Sequence, residues 1–204
     1  GRQRGAVGAR GGVGAQVRAQ RRTHRRTHLG RVGARDDALC KHDAVGARER
    51  EREVERVVRD ALAVAGALLC AEALGAMEEA LRMTTDYLRT RKQFGVTIGS
   101  FQVLQHRMVD MFIAHQEALS LMQHLSLSLS EGEAGLSRLA SGAKSKIGYA
   151  GKFVADQAVQ LHGGMGMTDE LNVGHYFKRI SSINIQFGDP AYHVLRYAQL
   201  DAAA

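Results

Sequence analysis

The chain has few of the residues that cross-link or punctuate a small domain. Among its 204 residues there is no tryptophan, one proline and two cysteines. Cys40 and Cys70 fall in regions of different composition, so we expect no disulfide framework. No run of about 18 apolar residues is present, and the N-terminus has no apolar stretch like that of a secretory signal. We therefore expect a cytoplasmic protein without a membrane span.

Aromatic residues and positive charge are unevenly distributed along the chain. All eleven Phe and Tyr residues lie at or after Tyr87. Residues 1–56 contain 15 Lys and Arg against 7 Asp and Glu, whereas the remaining residues contain 13 and 14. The net charge of +7 therefore originates in the first quarter of the chain. Because a charged segment without aromatics has little with which to form a core, we predict that residues 1–56 are a disordered Arg/Gly-rich extension.

Three interpretations of residues 1–56 stay open on sequence alone. The segment could be an arginine-rich arm for nucleic acid, but it lacks aromatics that would stack on bases. It could be an ordinary disordered tail. It could also be non-native, since Gly, Arg and Ala have GC-rich codons and dominate a shifted frame of GC-rich DNA. The "RRTHRRTH" stretch has no cysteine pair at zinc spacing, so no metal site is predicted.

The remaining residues, 57–204, have the periodicity of helices. The first predicted helix carries small apolar residues every three or four positions, and the third, from Leu136 to about Leu161, does so with larger ones. Between them we predict a helix from Phe101 to about Ser130. Two shorter helices should follow, one over 170–180 and one beginning at Pro190. No pattern indicates a hairpin or a βαβ unit, so the predicted fold is an all-α antiparallel helical bundle.

The stretch Arg91-Lys92-Gln93-Phe94-Gly95 places cations, an amide and an aromatic ring at the end of the first helix. Cations there complement the helix dipole, which accounts for Arg91 and Lys92 without any ligand. It does not account for Phe94, nor for Gln102 at the start of the next helix. A ligand that is flat at one end and anionic at the other would explain all of them.

A second motif is Gln160-Leu161-His162-Gly163-Gly164, at the end of the third helix. Paired glycines commonly end a helix in the left-handed conformation. They also let the backbone approach a ligand closely, because no Cβ intervenes. The motif is not a dinucleotide fingerprint, since no strand precedes it.

Four segments, "YLRTRKQFG", "FQVLQHRMVDM", "QAVQLHGGMGMTDE" and "VGHYFKRI", resemble the C-terminal domain of the acyl-CoA dehydrogenase family. The resemblance covers about residues 60–200. It implies an FAD cofactor and oxidation of acyl-CoA thioesters by αβ-desaturation. It implies that Arg91 contacts the diphosphate of a flavin held largely by a neighbouring subunit. The other implied flavin-contacting residues are Gln93, Phe94, Gln102, Gln160, Gly163 and Gly164.

The resemblance also implies partners. These are an acyl-CoA substrate, bound with the help of domains that this chain lacks, a second acyl-CoA dehydrogenase subunit of the same or another kind, and an electron-transfer flavoprotein. Neither a membrane nor nucleic acid is implied. The family normally has an N-terminal helical domain and a β-domain before this bundle, and residues 1–56 resemble neither.

The catalytic base of the family has no counterpart here. In many members a glutamate of a Tyr-Glu-Gly stretch takes the α-proton, and the matching stretch is Gln186-Phe187-Gly188. An alternative family position falls near Ala65. Asp189 is a candidate for recruitment, but no catalytic residue is assigned. The sequence resembles the smaller, base-lacking subunit of heteromeric dehydrogenases, so an enzyme component, a non-catalytic scaffold and a nucleic-acid-binding protein remain as hypotheses.

Overall fold

The computed structural model describes the backbone of residues 12–132 and 135–202, and side chains from residue 46 to 132 and from 135 to 200. Its elements are helix α1 (Gly12–Thr90), strands β1 (Lys92–Gln93) and β2 (Val96–Thr97), and helices α2 (Gln102–Glu131), α3 (Leu136–His162), α4 (Val173–Ile185) and α5 (Pro190–Ala202). Short 3₁₀ turns cover Ile98–Ser100 and Gly163–Met167. The predicted all-α fold is confirmed.

The chain divides into two compact units, residues 1–55 and 56–204. Over residues 12–56 the backbone is helical, as part of α1, where the sequence analysis predicts disorder. Local propensity explains the difference, because Ala, Arg and Glu are good helix formers. Residues 47–62 are exposed on every side of the helix, and core residues begin at Ala63. The prediction for residues 1–11 falls outside the described residues.

Small side chains let the helices of the second unit pack closely. The buried face of α1 is mostly alanine, with Cys70 and Met77 among it. Helix α3 contacts α2, α4 and α5, and so lies at the centre of this unit. At Gly151 of α3, an added Cβ would lie 3.1 Å from Ile180 of α4 and 3.7 Å from the Met77 sulfur, which leaves little room for a larger residue. Helix α3 therefore depends on its small residues for its central position.

Helix α4 begins later than the sequence predicts. The structure has it over Val173–Ile185 with Asn172 as N-cap, whereas the prediction was 170–180. The apolar residues Val173, Ile180 and Ile183 are its buried face, and this face sets the helix bounds. On its outer side Arg179 forms a bidentate ion pair with Glu72 of α1, with N–O distances of 2.5 and 2.7 Å. Both side chains are largely exposed, so the pair orients α4 more than it stabilises the fold.

A small antiparallel hairpin interrupts the helices of the second unit. Strands β1 and β2 pair Lys92 with Thr97 and Gln93 with Val96. The prediction that the chain has no hairpin is therefore wrong. Strands of two residues are too short to show an alternating pattern, and Phe-Gly is not the usual Asn-Gly turn. In the described ranges, no helix has the length and apolarity needed to cross a membrane.

Candidate functional site

The hairpin fixes Arg91 at the point where α1 ends. The Arg91 N–H donates to the Tyr87 carbonyl at 2.8 Å, and the Arg91 carbonyl accepts from Ile98 N–H at 2.9 Å. The Arg91 backbone is thus bound on both sides, while its side chain is exposed. The backbone at Arg91 is therefore fixed, while its guanidinium group can change orientation.

The hairpin turn presents Phe94 to solvent. Phe94 has φ of 54° and Gly95 has φ of 85°, so both central residues are in the left-handed region of a type I′ turn. The Phe94 side chain is 92% exposed, with its ring 6.2 Å from that of Phe101. An aromatic residue held in an unfavourable backbone region and left almost fully in water is typical of a surface that meets a ligand or partner.

Gly99 brings the start of α2 against the end of α1. A Cβ at this position would lie 2.8 Å from the Leu88 carbonyl oxygen, so only glycine allows this approach. The Gln105 side-chain amide donates to the Gly99 carbonyl at 2.9 Å. Gln102, the first residue of α2, is exposed beside this junction. The close packing therefore holds Gln102 near the hairpin.

The glycine motif forms the turn at the other side of this junction. Helix α3 ends at His162, and Gly163 follows with φ of 60°. The His162 ring stacks on the Tyr87 ring with centroids 4.5 Å apart, and His162 Nδ1 lies 2.8 Å from the Ala158 carbonyl oxygen. A Cβ at Gly163 or Gly164 would meet nothing within 4 Å, so open space adjoins both glycines.

The structure thus brings the two motifs to one end of the bundle. Tyr87, one helical turn before Arg91, contacts His162, which lies between Gln160 and Gly163. All of the predicted flavin-contacting residues are exposed there: Arg91, Gln93, Phe94, Gln102, Gln160, Gly163 and Gly164. Their roles toward a flavin remain predictions.

Sequence reasoning missed two contributors to this end of the bundle. Tyr87 was not singled out, although its spacing of four residues from Arg91 places both on one helical face. His162 was interpreted as part of a glycine cap. The stack between them could not be predicted, because it joins residues 75 positions apart.

The stretch matching the family's base position forms a tightly held turn. Phe187 has φ of 57° and Gly188 has φ of 106°. His193 Nε2 lies 3.1 Å from the Phe187 carbonyl oxygen, and Lys144 Nζ donates to the Ile183 carbonyl at 2.9 Å. A Cβ at Gly188 would lie within 2.4 Å of the Tyr192 ring, so the turn requires glycine. The turn is ordered although Phe187 offers no acid–base group.

The two alternative base positions offer little. Ala65 carries no functional group. Asp189 is exposed, and its Oδ1 accepts from the Tyr192 N–H at 2.7 Å, which makes Asp189 the cap of α5.

A buried polar pair lies behind the turn and was not foreseen. Lys144 is 2% exposed and Cys70 is 1% exposed. Burial lowers the pKa of Lys144, and burial raises the pKa of the Cys70 thiol to about 11, with the nearby Lys144 charge opposing that rise. One sequence feature could have indicated this pair, namely that Lys144 directly follows Ala143, a residue of the apolar stripe of α3.

Comparison with known proteins agrees with this arrangement. Residues 54–199 match the family model described as the acyl-CoA dehydrogenase C-terminal domain. Acyl-CoA dehydrogenase IpdE2 from Mycolicibacterium smegmatis is 36% identical over 133 residues, 65% of this chain and 40% of the relative. IpdE2 from Mycobacterium tuberculosis is 37% identical over 115 residues, 56% of this chain and 34% of the relative.

A solved structure shares the fold as well. A variant of the steroid ACAD Tcur3481-Tcur3483 is 29% identical with a TM-score of 0.67, covering 70% of this chain and 39% of that one. The chain spans 34% and 40% of the length of the two IpdE2 relatives. Since the family model covers most of the chain, and the fold and the ordered motifs agree with it, this chain belongs to the acyl-CoA dehydrogenase family through its C-terminal domain.

Proposed function

We propose that the chain supplies the diphosphate- and adenosine-facing surface of an FAD site shared between subunits of an acyl-CoA dehydrogenase. The observation that carries this proposal is the exposed hairpin, in which Phe94 is 92% exposed beside Arg91, at the same end of the bundle as the glycine turn. A surface of this kind faces something outside the chain.

The residues present fit a flavin adenine dinucleotide. A guanidinium gives planar, bidentate recognition of phosphate oxygens, and Arg91 is free to turn its fork outward. The Phe94 ring offers an aromatic face or edge to a flat group. The open space at Gly163 and Gly164 allows a ligand to reach the backbone directly.

When bound, FAD would accept the hydride in αβ-desaturation of an acyl-CoA. This chain's own residues would bind and orient the cofactor, but the turn at Phe187 has no carboxylate with which to take the α-proton. We therefore infer that the base comes from another subunit. Phe187 favours a second candidate, a non-catalytic scaffold that completes a flavin site for an active partner.

The proposed assembly includes an acyl-CoA substrate and an electron-transfer flavoprotein, and we propose a cytoplasmic location. The substrate would be contacted mainly by domains outside this chain, in keeping with its coverage of about two fifths or less of the IpdE2 relatives. Desaturation assays with and without a base-carrying partner test these candidates. Activity without the partner would show an enzyme component that carries its own base, and activity only with the partner would agree with a base supplied by another subunit.

Flavin retention by arginine variants tests the cofactor proposal. The assay uses a complex in which this chain is present together with the N-terminal helical domain and the β-domain of the family. Arg91→Ala should weaken FAD binding about 100-fold, as truncation of one partner of a desolvated charge pair does. Arg91→Lys keeps the charge but loses the fork, and should weaken binding less.

Arg89→Ala is the matched control, since Arg89 is exposed on the same turn but outside the motif. It should change FAD binding little. Equal losses from Arg89 and Arg91 would indicate a diffuse basic patch, and no loss from either would leave helix-dipole complementation as the better explanation of the cations.

A further inference from the structure

A cavity of about 210 Å³ lies between the last turn of α3 and the first two turns of α4. Its wall is mostly apolar and includes Val159, Met167, Leu171 and Phe177. Leu171 and Phe177 also pack against the buried core, so the fold holds this part of the wall in place. Among the described residues that line the cavity, none belongs to α1, to the turn at Phe187 or to the predicted flavin-contacting set. The cavity is therefore separate from the proposed flavin surface.

Two glycines leave space in this cavity. A Cβ at Gly166 would lie 2.6 Å from the Val159 carbonyl oxygen, so only glycine allows the turn after α3 to fold back this closely. Gly174 lies in the first turn of α4, where a Cβ would lie 3.5 Å from the Gly166 carbonyl oxygen, an ordinary contact distance. Position 174 could therefore hold a side chain without strain, and the glycine leaves that volume to a ligand.

The rim of the cavity carries charges of both signs. Asp169 and Lys178 line it, and the Asp169 Oδ1 lies 3.9 Å from the Lys178 Nζ. This distance is too long for a direct hydrogen bond, so the two groups attract each other and keep their hydrogen-bonding capacity. Both side chains are largely exposed, so a ligand can reach them from solvent. The rim thus offers a cation and an anion side by side, next to an apolar interior.

We propose that this cavity binds a free α-amino acid with an apolar side chain, such as leucine. The side chain occupies the apolar interior, the α-carboxylate pairs with Lys178 and the α-ammonium group pairs with Asp169. An α-amino acid carries both charges on one carbon atom, so both pairs can form at once. A ligand with a single charge would pair with one rim residue and be repelled by the other.

The size of the cavity agrees with such a ligand. Water occupies about 30 Å³ per molecule in the liquid, so the cavity has room for about seven non-hydrogen atoms. The four side-chain carbons of leucine fit inside, with the charged groups at the rim. Burial of these carbons supplies most of the affinity, since exposed ion pairs contribute little. The site goes beyond the proposed flavin role, and its test requires no flavin.

Four matched ligands test the proposal on the 204-residue chain at pH 7. Leucine has all three groups, 4-methylpentanoate lacks the ammonium group, leucinamide lacks the carboxylate, and glycine lacks the side chain. The readout is the ¹³C-labelled methyl NMR signal of Met167, which lines the cavity, with Met122 of α2 as the internal control. Leucine should shift the Met167 signal saturably in the millimolar range, as expected for so small a ligand. Leucinamide and 4-methylpentanoate should bind about three- to fivefold more weakly, and glycine should not bind.

Three variants assign the contacts. Lys178→Gln should weaken leucine binding about three- to fivefold without weakening leucinamide binding. Asp169→Asn should weaken leucine binding by a similar factor without weakening 4-methylpentanoate binding. Gly174→Leu fills the cavity beside Gly166 and should abolish leucine binding. This last variant should fold, because leucine is a better helix former than glycine.

Lys152→Gln is the control, because Lys152 is an exposed lysine of α3 that pairs with Asp156 at 2.8 Å and does not line the cavity. It should leave leucine binding unchanged. Unsaturable shifts of the Met167 signal with leucine would exclude the site. Equal affinities for leucine and leucinamide would overturn the amino-acid assignment, because the free carboxylate would then not be recognised. Unchanged leucine binding in Gly174→Leu, or equal losses in Lys152→Gln and Lys178→Gln, would place the binding elsewhere on the surface.

Discussion

His193 makes the stability of this bundle depend on pH. Burial lowers its pKa below the ordinary value of about 6.5, so the unfolded chain binds this proton more readily than the folded chain does. Stability therefore rises with pH through the window between the folded pKa and about 6.5, and is lost as pH falls below about 6.5.

We expect the free energy of unfolding to fall between pH 7.5 and 5.5, as measured by urea denaturation at each pH. His193→Gln should flatten this dependence, because its amide does not titrate. His175→Gln removes an exposed histidine and should leave the dependence as it is. A steep acid loss that persists in His193→Gln would assign the effect to another group.

We predict that Phe187 stands at the position of the family's catalytic base, so that a carboxylate there would supply the missing base. Contacts from His193 and Lys144 hold the backbone at and just before the turn that carries Phe187. A carboxylate at this position would therefore stand on an ordered backbone. In an assembled complex whose partner base has been removed, Phe187→Glu should raise the rate of solvent deuterium incorporation at the acyl-CoA α-carbon.

The expected increase is about 100-fold, within the usual range for a positioned general base. Phe187→Gln has a similar shape without the basic group and is the control. If both variants exchange at the same slow rate, the turn does not face the substrate, and the match between Phe187 and the base position is wrong.

Gly148 shows how helix packing constrains single positions on α3. An added Cβ would lie 2.7 Å from the Asn184 side-chain oxygen and 2.8 Å from the Pro190 ring. Asn184 also donates to the Gly148 carbonyl at 3.0 Å, so the last turn of α4 is bonded to this site. Gly148→Ala should lower the free energy of unfolding by about 1–3 kcal/mol through overpacking.

Gly75→Ala provides the comparison in chemical denaturation. Gly75 is exposed on α1 with nothing within 4 Å of an added Cβ, so alanine there should raise stability by about 0.5–1 kcal/mol through helix propensity. Destabilisation of both variants by similar amounts would argue against the close packing of α3 on α4.

At this scale the sequence predicted the long helices well, because apolar residues recur at helical spacing over many turns. The observed bounds of α4 differ from the predicted ones, because the start of this helix depends on the burial of Val173 against other helices. The hairpin was missed because its strands are two residues long. The residue types and the family resemblance predict the candidate site residues, and their roles stay predictions. Tyr87, Lys144 and His193 were not predicted, because they act through contacts with distant segments that local patterns do not reveal.

At the scale of the whole molecule, the second unit exposes apolar side chains on several helices. On α2 these include Val109, Phe112, Ile113 and Leu127, each at least 50% exposed, and on α5 Leu195 is 65% exposed. Such surfaces are usually covered by other domains or subunits. This chain spans two fifths or less of the IpdE2 relatives, so covering surfaces are expected outside it.

We therefore expect the isolated chain to form a dimer or larger species in light scattering at micromolar concentration. Phe112→Lys should shift the distribution toward smaller species if α2 takes part in the association. His106→Lys, at an exposed position of the same helix, adds the same charge outside the apolar set. A stable 22.2 kDa species for the unmodified chain would contradict the expectation.

The ring stack between Tyr87 and His162 has a consequence for the energetics of the proposed flavin binding. It joins the hairpin end of α1 to the glycine turn of α3 before any ligand is present. The hairpin and the glycine turn are therefore already in place when a ligand arrives. The conformational entropy of arranging them is lost when the chain folds, and not when the ligand binds. A flavin would meet a preorganised receptor, whose affinity should decline if the stack is loosened, even though neither ring belongs to the predicted contact set.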